Sequence, residues 1–473
     1  MSESQLAPAW WTSVQQELAP LMPGLRVAFY ASGGAPYHHA ALVAHWGGVP
    51  VPLSADAIAT GALAGFDVLI VPGGGLYGMS GLLEPLGNDG AARIRAWVEA
   101  GGLYIGSCAG AYLPAHWPES FAQQHPRQQA LQLLDVPMAN AADAGLGGLD
   151  SPGVGVVRAQ RVPEHWLTAG LPDHFEVVHY NGPCFLPTTA TGVTRLVGYG
   201  SAFTPWEHAQ TPDAPGEVLI DRLIRQGACN VVAGSCGEGT VVLFGSHPEF
   251  GFGAVQLGWG VAARMFGNAL GYQARRVGAA HAEERHDLSK SGPTPDLPRL
   301  ADDFLRASTR LAGHSLPDAA LPGAPGFLGR TAPALAAESL AEASQLCHRI
   351  GVALHGLARA SPVPDHLAHW LFSTPEGTQD YGFVGLAQLA AQIHHLIDLA
   401  QQRLQHSADF TSPYGDWDQH PYHLLASSYL SAAGIAASAA LATGTLISLG
   451  HYDLPSPYDL FSPDSSAHTG VNA

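Results

Sequence analysis

The chain has 473 residues, of which 47% are hydrophobic and 13% charged, and its formal net charge at pH 7 is −18. This length exceeds what a single hydrophobic core usually holds and predicts two folded units. The negative charge disfavours nucleic acid and anionic membrane surfaces as partners, because both would repel the chain.

The cysteines and the first residues bear on the compartment. Five cysteines are irregularly spaced, without a C-x-x-C pair, which disfavours a disulfide framework or a zinc ribbon and favours a reducing environment. The opening string M-S-E-S-Q-L-A-P-A-W-W lacks the basic region and apolar core of a signal peptide. We therefore expect a cytoplasmic protein, and no motif calls for a cofactor.

Strand and helix patterns alternate in the first part of the chain. A short amphipathic helix is predicted at residues 10–22, ahead of the first strand. The strands that follow are predicted at 26–30, 49–53, 66–72 and in the run that ends at Cys108, with helices at 40–46 and 91–100. This rhythm predicts an α/β fold of the flavodoxin-like kind, a parallel sheet covered by helices on both faces.

The strand at 66–72 runs into a glycine turn, Gly73-Gly74-Gly75. Without Cβ atoms, its backbone N–H groups can come close to a bound ligand. The turn by itself is equally typical of an ordinary βα loop. No G-x-x-x-x-G-K-[ST] string is present, which disfavours a phosphate cradle of the P-loop kind for a nucleotide.

Cys108 lies in the string L-Y-I-G-S-C-A-G. An apolar strand that stops at G-x-C-x-G predicts a nucleophile elbow, a tight strand-to-helix turn that presents the thiol above the sheet. A free cysteine beside glycines is, on its own, more often a small buried hydrophobe.

The next patterns predict antiparallel structure. Residues 153–162 and 177–180 are typical of an antiparallel insertion, and 230–233 and 240–246 of a hairpin whose turn contains Cys236. A helix is predicted at 254–270 to close this unit.

The hairpin leads into a second chemical motif, G-S-H-P-E-F, which contains His247 and Glu249. In an extended segment, residues two apart point to the same side. An imidazole lowers the pKa of a neighbouring thiol and a carboxylate fixes the imidazole tautomer, so Cys108, His247 and Glu249 together predict a Cys-His-Glu triad. The oxyanion donors would be the N–H of Ala109 and one from Gly74 or Gly75.

The composition of the chain changes after residue 275. Residues 276–332 are rich in proline, charge and small side chains, and predict a linker with one helix around 301–311. Helical patterns at 335–358, 382–405 and 423–449 predict a small bundle. The expected organisation is an N-terminal extension (1–22), an α/β domain (23–275), the linker (276–332) and an all-α helical domain (333–473).

Two features of the predicted bundle invite other interpretations. Its histidines, His348, His355, His394, His395, His420 and His423, lack an H-E-x-x-H or E-x-x-H pattern, so we expect helix contacts and no metal site. Residues 424–450 carry no charge and are long enough to span a membrane, but small residues dominate them, which favours a buried helix instead. The same small residues could alternatively let the helix self-associate into a homo-oligomer.

Four motifs together carry a resemblance. The strings V-P-G-G-G (71–75), G-S-C-A-G-A-Y (106–112), H-Y-N-G-P (179–183) and G-S-H-P-E-F (245–250) resemble the class I glutamine amidotransferase-like superfamily. Over residues 25–272 the chain is most similar to the domain at the N-terminus of biotin-protein ligases. The resemblance implies Cys108 as nucleophile, His247 and Glu249 as its partners, and a pocket lined by Tyr180 and Asn181.

The chain also departs from that superfamily. Ammonia-supplying glutaminases usually continue the elbow as G-x-C-x-G-H-Q, whereas Ala111 and Tyr112 stand here. No biotin-ligase half is recognisable, and the first strand ends without the acid typical of the related chaperone and protease branch.

The sequence favours a thiol-dependent hydrolase or amidase acting on a small-molecule or peptide amide. Two alternatives stay open: a non-catalytic binding or regulatory module with the same pocket, and a glutaminase subunit that supplies ammonia to a separate enzyme.

Overall fold

The computed structural model describes residues 12–34, 36–73, 78–117, 131–139, 154–162, 164–180, 182–202, 216–251, 259–278, 296–313, 332–359, 370–371, 384–406, 439 and 442–446. The statements below refer to these residues.

Ten strands in the described ranges form one mixed sheet. They are β1 (Val27–Tyr30), β2 (Pro50–Leu53), β3 (Val68–Val71), β4 (Leu103–Ser107), β5 (Val154–Arg161), β6 (His174–Tyr180), β7 (Val193–Ala202), β8 (Cys229–Cys236), β9 (Gly239–Phe244) and β10 (Ser246–His247). Their order across the sheet is β10-β6-β5-β7-β8-β9-β4-β3-β1-β2.

The sheet divides into a parallel and an antiparallel half. Strands β2, β1, β3, β4 and β9 are parallel neighbours, which confirms the α/β fold predicted from the alternating patterns. The strands β5 to β8 and β10 pair antiparallel, as predicted for the insertion and the hairpin. Because the carboxyl ends of parallel strands meet at one edge, the loops after β1, β3, β4 and β9 converge there.

The principal helices are α1 (Tyr37–His45), α2 (Ala55–Ala59), α3 (Gly78–Glu99), α4 (Ala109–Tyr112), α5 (Gly216–Arg225), α6 (Ala263–Val277), α7 (Leu297–Ala312), α8 (Ala332–Arg359) and α9 (Leu386–His406). Residues 12–18 are also helical and bury Val14 and Leu18, as expected for the extension.

The helix predictions differ from the structure in two places. Within α3, Gly87 is non-helical, with φ 58° and ψ −170°, and separates two helical stretches; the helix predicted at 91–100 lies in the second stretch, and the first, from Gly78, was not predicted. Helix α6 begins at Ala263 rather than 254, since Trp259 instead forms an isolated antiparallel bridge with Gly251.

The core lies on both faces of the sheet. Alternate residues of the central strands point to opposite faces, so Phe29 and Ile105 join one apolar cluster while Tyr30 and Tyr104 join the other. Helices α1 and α6 cover the first face and α3 covers the second. Burial on both faces explains why these strands read as continuous apolar runs.

The first cluster continues into the helical region. Helix α7, which lies within the segment expected to be a linker, packs against α8 and α9. On β1, the ring of Phe29 lies 5.5 Å from that of Trp370. The division into domains at 275 and 333 stays a prediction, and most of residues 424–450 lie outside the described ranges.

Two of the bundle histidines connect helices. The Nε2–H of His394 donates to the carbonyl of Asp303 at 2.9 Å, and its Nδ1 accepts from Arg310 at 3.0 Å. His355 lies 3.1 Å from Asp302. His420 and His423 fall outside the described residues. Within the described ranges no group of three or more His, Cys, Asp or Glu side chains is arranged so that it could hold a metal ion, and no helix is long and apolar enough to span a bilayer.

Replacement of Gly110 by alanine should destabilise the fold. A Cβ there would lie 2.1 Å from the carbonyl oxygen of Val71, a backbone atom of β3 that cannot move aside. We expect the free energy of unfolding to fall by about 1–3 kcal/mol in urea denaturation. The matched control is Gly356→Ala in α8, where a Cβ meets nothing within 4 Å and stability should rise by about 0.5–1 kcal/mol. Equal stability of the two variants would contradict the close packing at Gly110.

Candidate active site

Cys108 occupies a strained turn between β4 and α4. Its φ and ψ are 49° and −114°, and only Cys108 and Gln132 among the described non-glycine residues have a positive φ. The Cys108 N–H donates to the carbonyl of Phe244 on β9 at 3.0 Å, which ties the turn to the neighbouring strand. The side chain is partly exposed. This is the geometry predicted for a nucleophile elbow.

Small residues make the turn sterically feasible. A Cβ at Gly106 would lie 2.4 Å from the carbonyl oxygen of Gly110, so the chain before and after Cys108 is in direct backbone contact. A Cβ at Gly182 would lie 3.3 Å from the Cα of Cys108 and 2.0 Å from the oxygen of Gly245. Gly182, which adjoins the residues expected to line the pocket, therefore lies directly beside the elbow.

His247 reaches the elbow from the end of the hairpin. Strand β9 ends at Phe244, and the chain then enters β10, where His247 pairs with Val178 of β6. A Cβ at Gly73 would lie 2.6 Å from the Cβ of Cys108 and 3.0 Å from the Cε1 of His247. The thiol-bearing and imidazole side chains thus meet over Gly73, and only glycine leaves room for both.

Glu249 is the partner of His247. Its Oε1 lies 2.5 Å from the Nδ1 of His247, and the carboxylate is fully buried. Burial lowers the pKa of His247, but Glu249 and then Cys108 outweigh it and raise the pKa to about 10. Burial raises the pKa of Glu249, but His39 and His247 outweigh it and lower the pKa to about 2. At neutral pH the pair is therefore an imidazolium and a carboxylate.

A second histidine, His39, was missed by the sequence analysis. Its Nε2 lies 3.3 Å from the Oε1 of Glu249 and 3.0 Å from the Oγ of Ser107. The Ser107 hydroxyl donates to the Oε2 of Glu249 at 3.4 Å. Burial lowers the pKa of His39, which keeps it neutral. Its position at the start of α1, directly after β1, was the available signal, since that loop opens at the same sheet edge as Cys108.

Aromatic packing fixes the imidazole plane. The rings of His247 and Phe250 stack at 4.2 Å with an interplanar angle of 3°, and His38 meets Phe250 edge-on at 4.8 Å. Burial lowers the pKa of His38 to about 4. His179 bonds Ser246 at 3.2 Å, and burial together with His247 lowers its pKa to about 3. His247 is thus a cationic imidazole among neutral ones.

The structure places Cys108, His247 and Glu249 close to one another, and their action as a triad stays a prediction. Ala109 follows the thiol as the first residue of α4. The positions of Gly74, Gly75 and Asn181 and the side chain of Tyr180 lie outside the described residues.

Residues 62–129 match the family described as biotin-protein ligase, N terminal. The match runs from just before β3 past Cys108 and confirms, over this stretch, the resemblance drawn from the motifs. Among curated proteins, none is significantly similar to the chain.

Several solved structures align with about half of the chain. One described as a GMP synthase component from Thermoplasma acidophilum is 13% identical, with a TM-score of 0.32, covering 53% of this chain and 96% of that chain. A cytoplasmic protein from Salmonella typhimurium is 13% identical, with a TM-score of 0.32, covering 52% and 98%. A glutamine amidotransferase from Thermotoga maritima is 12% identical, with a TM-score of 0.27, covering 48% and 78%.

Glu249→Gln should destabilise the protein in a pH-dependent way. The pKa of His247 is raised to about 10, so its stabilising contribution is complete below about pH 6.5 and is lost as pH rises through about 10. The pKa of Glu249 is lowered to about 2, so its contribution is complete above about pH 4.5 and is lost as pH falls through about 2.

The difference in Tm between wild type and Glu249→Gln should therefore be largest between about pH 4.5 and 6.5 and smaller at about pH 9.5. Taking this difference cancels most of the titration of His38 and His179, which both proteins share. Thermal denaturation followed by circular dichroism measures it, and a difference that grows toward alkaline pH would contradict the ion pair.

Proposed function

We propose that the protein is a thiol-dependent hydrolase that cleaves an amide or a related acyl bond of a small molecule or peptide. The observation that supports this most is the elbow at Cys108 facing His247, whose Nδ1 is held by Glu249 at 2.5 Å. A nucleophile, a base and a group that orients the base are the three parts that acyl transfer to a thiol requires.

The reaction would proceed through a thioester. The Cys108 sulfur attacks the acyl carbon as a thiolate, its proton having passed to His247. As the C–N bond breaks, His247 gives that proton to the departing amine. Water then attacks the thioester carbon while His247 takes a proton from it, and breaking of the C–S bond releases the carboxylic acid and restores the thiol.

Each tetrahedral intermediate needs donors for its oxyanion. The N–H of Ala109, in the first turn of α4, has no intrahelical acceptor because the first N–H groups of a helix never do. It follows Cys108 directly and is the donor that an elbow normally provides. An N–H of Gly74 or Gly75 stays our proposal for the second donor, and Tyr180 and Asn181 for contacts to the substrate.

The glutaminase alternative is the less supported one. Ala111, which replaces the histidine usual in glutaminases, is fully buried in the core on the α3 side of the sheet. The carbonyl of Tyr112 accepts a hydrogen bond from the Trp117 indole at 2.7 Å, so this turn packs inward. A non-catalytic binding module would need no base aligned with the thiol, whereas His247 meets Cys108 over Gly73 and is held by Glu249, which favours the enzyme.

The proposed chemistry of Cys108 requires a compartment in which thiols stay reduced. All five cysteines are free thiols in the structure, and the proposed nucleophile would be inactivated by oxidation. We infer that the protein works in a reducing compartment, the cytoplasm.

Cys108 should react with iodoacetamide faster than the other four cysteines. Cys184, Cys229 and Cys347 are buried, so the informative competitor is Cys236, which is partly exposed like Cys108. It is the last residue of β8, paired with Gly239, rather than part of the hairpin turn as predicted. Burial and Glu99 raise the pKa of Cys236. At pH 7 we expect mass spectrometry to find Cys108 alkylated at least about tenfold faster than Cys236. His247→Ala should remove this advantage, and equal rates in the wild type would contradict the proposal.

Turnover should depend on the same residues. In a panel of small amides and esters, Cys108→Ala should abolish hydrolysis and His247→Ala should cost nearly as much, because residues that act as a unit are not additive. Glu249→Gln should be milder, since the imidazole stays in place. Tyr30→Phe is the control, since it removes a buried hydroxyl that bonds the Leu82 carbonyl outside the elbow and should leave turnover unchanged. Full activity of Cys108→Ala would place the chemistry elsewhere.

A further inference from the structure

The start of helix α1 lies between the candidate active site and the helical region. Tyr37, its first residue, and His39, two positions later, are both almost completely buried. Successive helical residues are rotated by about 100°, so residues two apart point in nearly opposite directions. Tyr37 and His39 therefore contact different neighbours from one rigid turn.

His39 contacts Glu249. It is neutral, and its Nε2 faces the Oε1 of Glu249 and the Oγ of Ser107. The Ser107 proton is directed at the Oε2 of Glu249, so the Nε2 of His39 must carry the proton of that contact. The Oε1 of Glu249 thus lies between two imidazoles, His39 at 3.3 Å and His247 at 2.5 Å.

These contacts determine where the carboxylate sits. A carboxylate held by His247 alone could rotate or follow the imidazole. His39 on α1 and Ser107 on β4 donate hydrogen bonds that hold the carboxylate in place. Because both donors are neutral, the ion pair between Glu249 and His247 is kept. His39 thus has the place of a residue that positions Glu249 and, through it, His247.

Tyr37 contacts the helical region. Its hydroxyl donates to the carbonyl of Val384 at 2.8 Å and accepts from the N–H of the same residue at 2.7 Å. Val384 lies just before α9. A second segment packs on the same residue, since a Cβ at Gly444 would lie 3.2 Å from the Tyr37 carbonyl oxygen and 3.3 Å from its Cβ.

We propose that the C-terminal helical region is part of the active-site framework: through Val384 and Tyr37 it holds the start of α1, from which His39 positions Glu249. This inference rests on the proposed function. It assigns His39 a positioning role and gives residues near 384 and 444 a part in controlling the reactivity of Cys108.

The first test compares His39→Ala with His39→Gln in the full-length protein. The readout is the rate of Cys108 alkylation by iodoacetamide as a function of pH, with Cys236 as internal reference. A poorly held Glu249 stabilises the His247 imidazolium less, so His39→Ala should be about tenfold slower at pH 7, with the half-maximal rate shifted to higher pH. Glutamine can place an amide N–H near the Nε2 position, so His39→Gln should recover to within about threefold of wild type.

The second test removes the Tyr37 hydroxyl. Tyr37→Phe loses both bonds to Val384 while keeping the ring, and should slow Cys108 alkylation about three- to fivefold. The matched control is Tyr30→Phe, which loses a buried hydroxyl bond to the Leu82 carbonyl without touching α1, and should stay within about twofold of wild type. If both residues act by one route, Tyr37→Phe should add little to His39→Ala.

The outcomes separate this inference from the proposed function. Wild-type Cys108 that is no more reactive than Cys236 would refute the proposed triad itself. A selectively reactive wild type whose pH profile is unchanged, or shifted to lower pH, in His39→Ala would refute only the positioning role. Equal effects of Tyr37→Phe and Tyr30→Phe would refute the coupling to the helical region. Circular dichroism of each variant shows whether it is folded.

Discussion

The arrangement of the site depends on one buried carboxylate. Glu249 has no exposed surface, and a charge in that environment is tolerated only if donors surround it. Those donors come from three separate elements: His247 from β10, His39 from α1 and Ser107 from β4. A single group thereby ties together strands that lie far apart in the sequence, and the cationic state of the imidazole next to Cys108 follows from it.

The fold was largely predictable because its signals are local. Continuous apolar runs at 66–72 and 103–107 could only be strands buried on both faces, and the elbow string around Cys108 requires its glycines whatever surrounds it. Gly87 does interrupt α3, with φ 58° and ψ −170°, so the helix predicted from 91 lies after the break. The stretch before the break, from Gly78, was missed because it contains Pro85 and several glycines, which have low helix propensity.

Only those site residues that stand in recognisable sequence motifs were predictable. Cys108, His247 and Glu249 stand in strings with a recognisable pattern, but His39 is one of 24 histidines and stands in no such string. Its contact with Glu249 arises because β1 and β4 are separated in the sheet by β3 alone and end at the same edge. Likewise, the pairing of Tyr37 with Val384 joins residues 347 positions apart, and no periodicity in either segment indicates it.

The position of β10 at the edge of the sheet limits which deletions and insertions this scaffold tolerates. Strand β10 is two residues long and pairs with β6 on one side, while β6 runs directly into the segment that passes Cys108. A minimal engineered version that keeps the parallel strands but deletes residues 154–180 would leave His247 without a ladder partner. Conversely, the β5–β6 ladder pairs Val154 with Tyr180 near the elbow and Gln160 with His174 at its far end, so changes in length between β5 and β6 would leave the elbow and the parallel core intact. The pairing of β6 with β10 is therefore the part of the antiparallel half that a shortened scaffold has to keep if His247 is to stay beside Cys108.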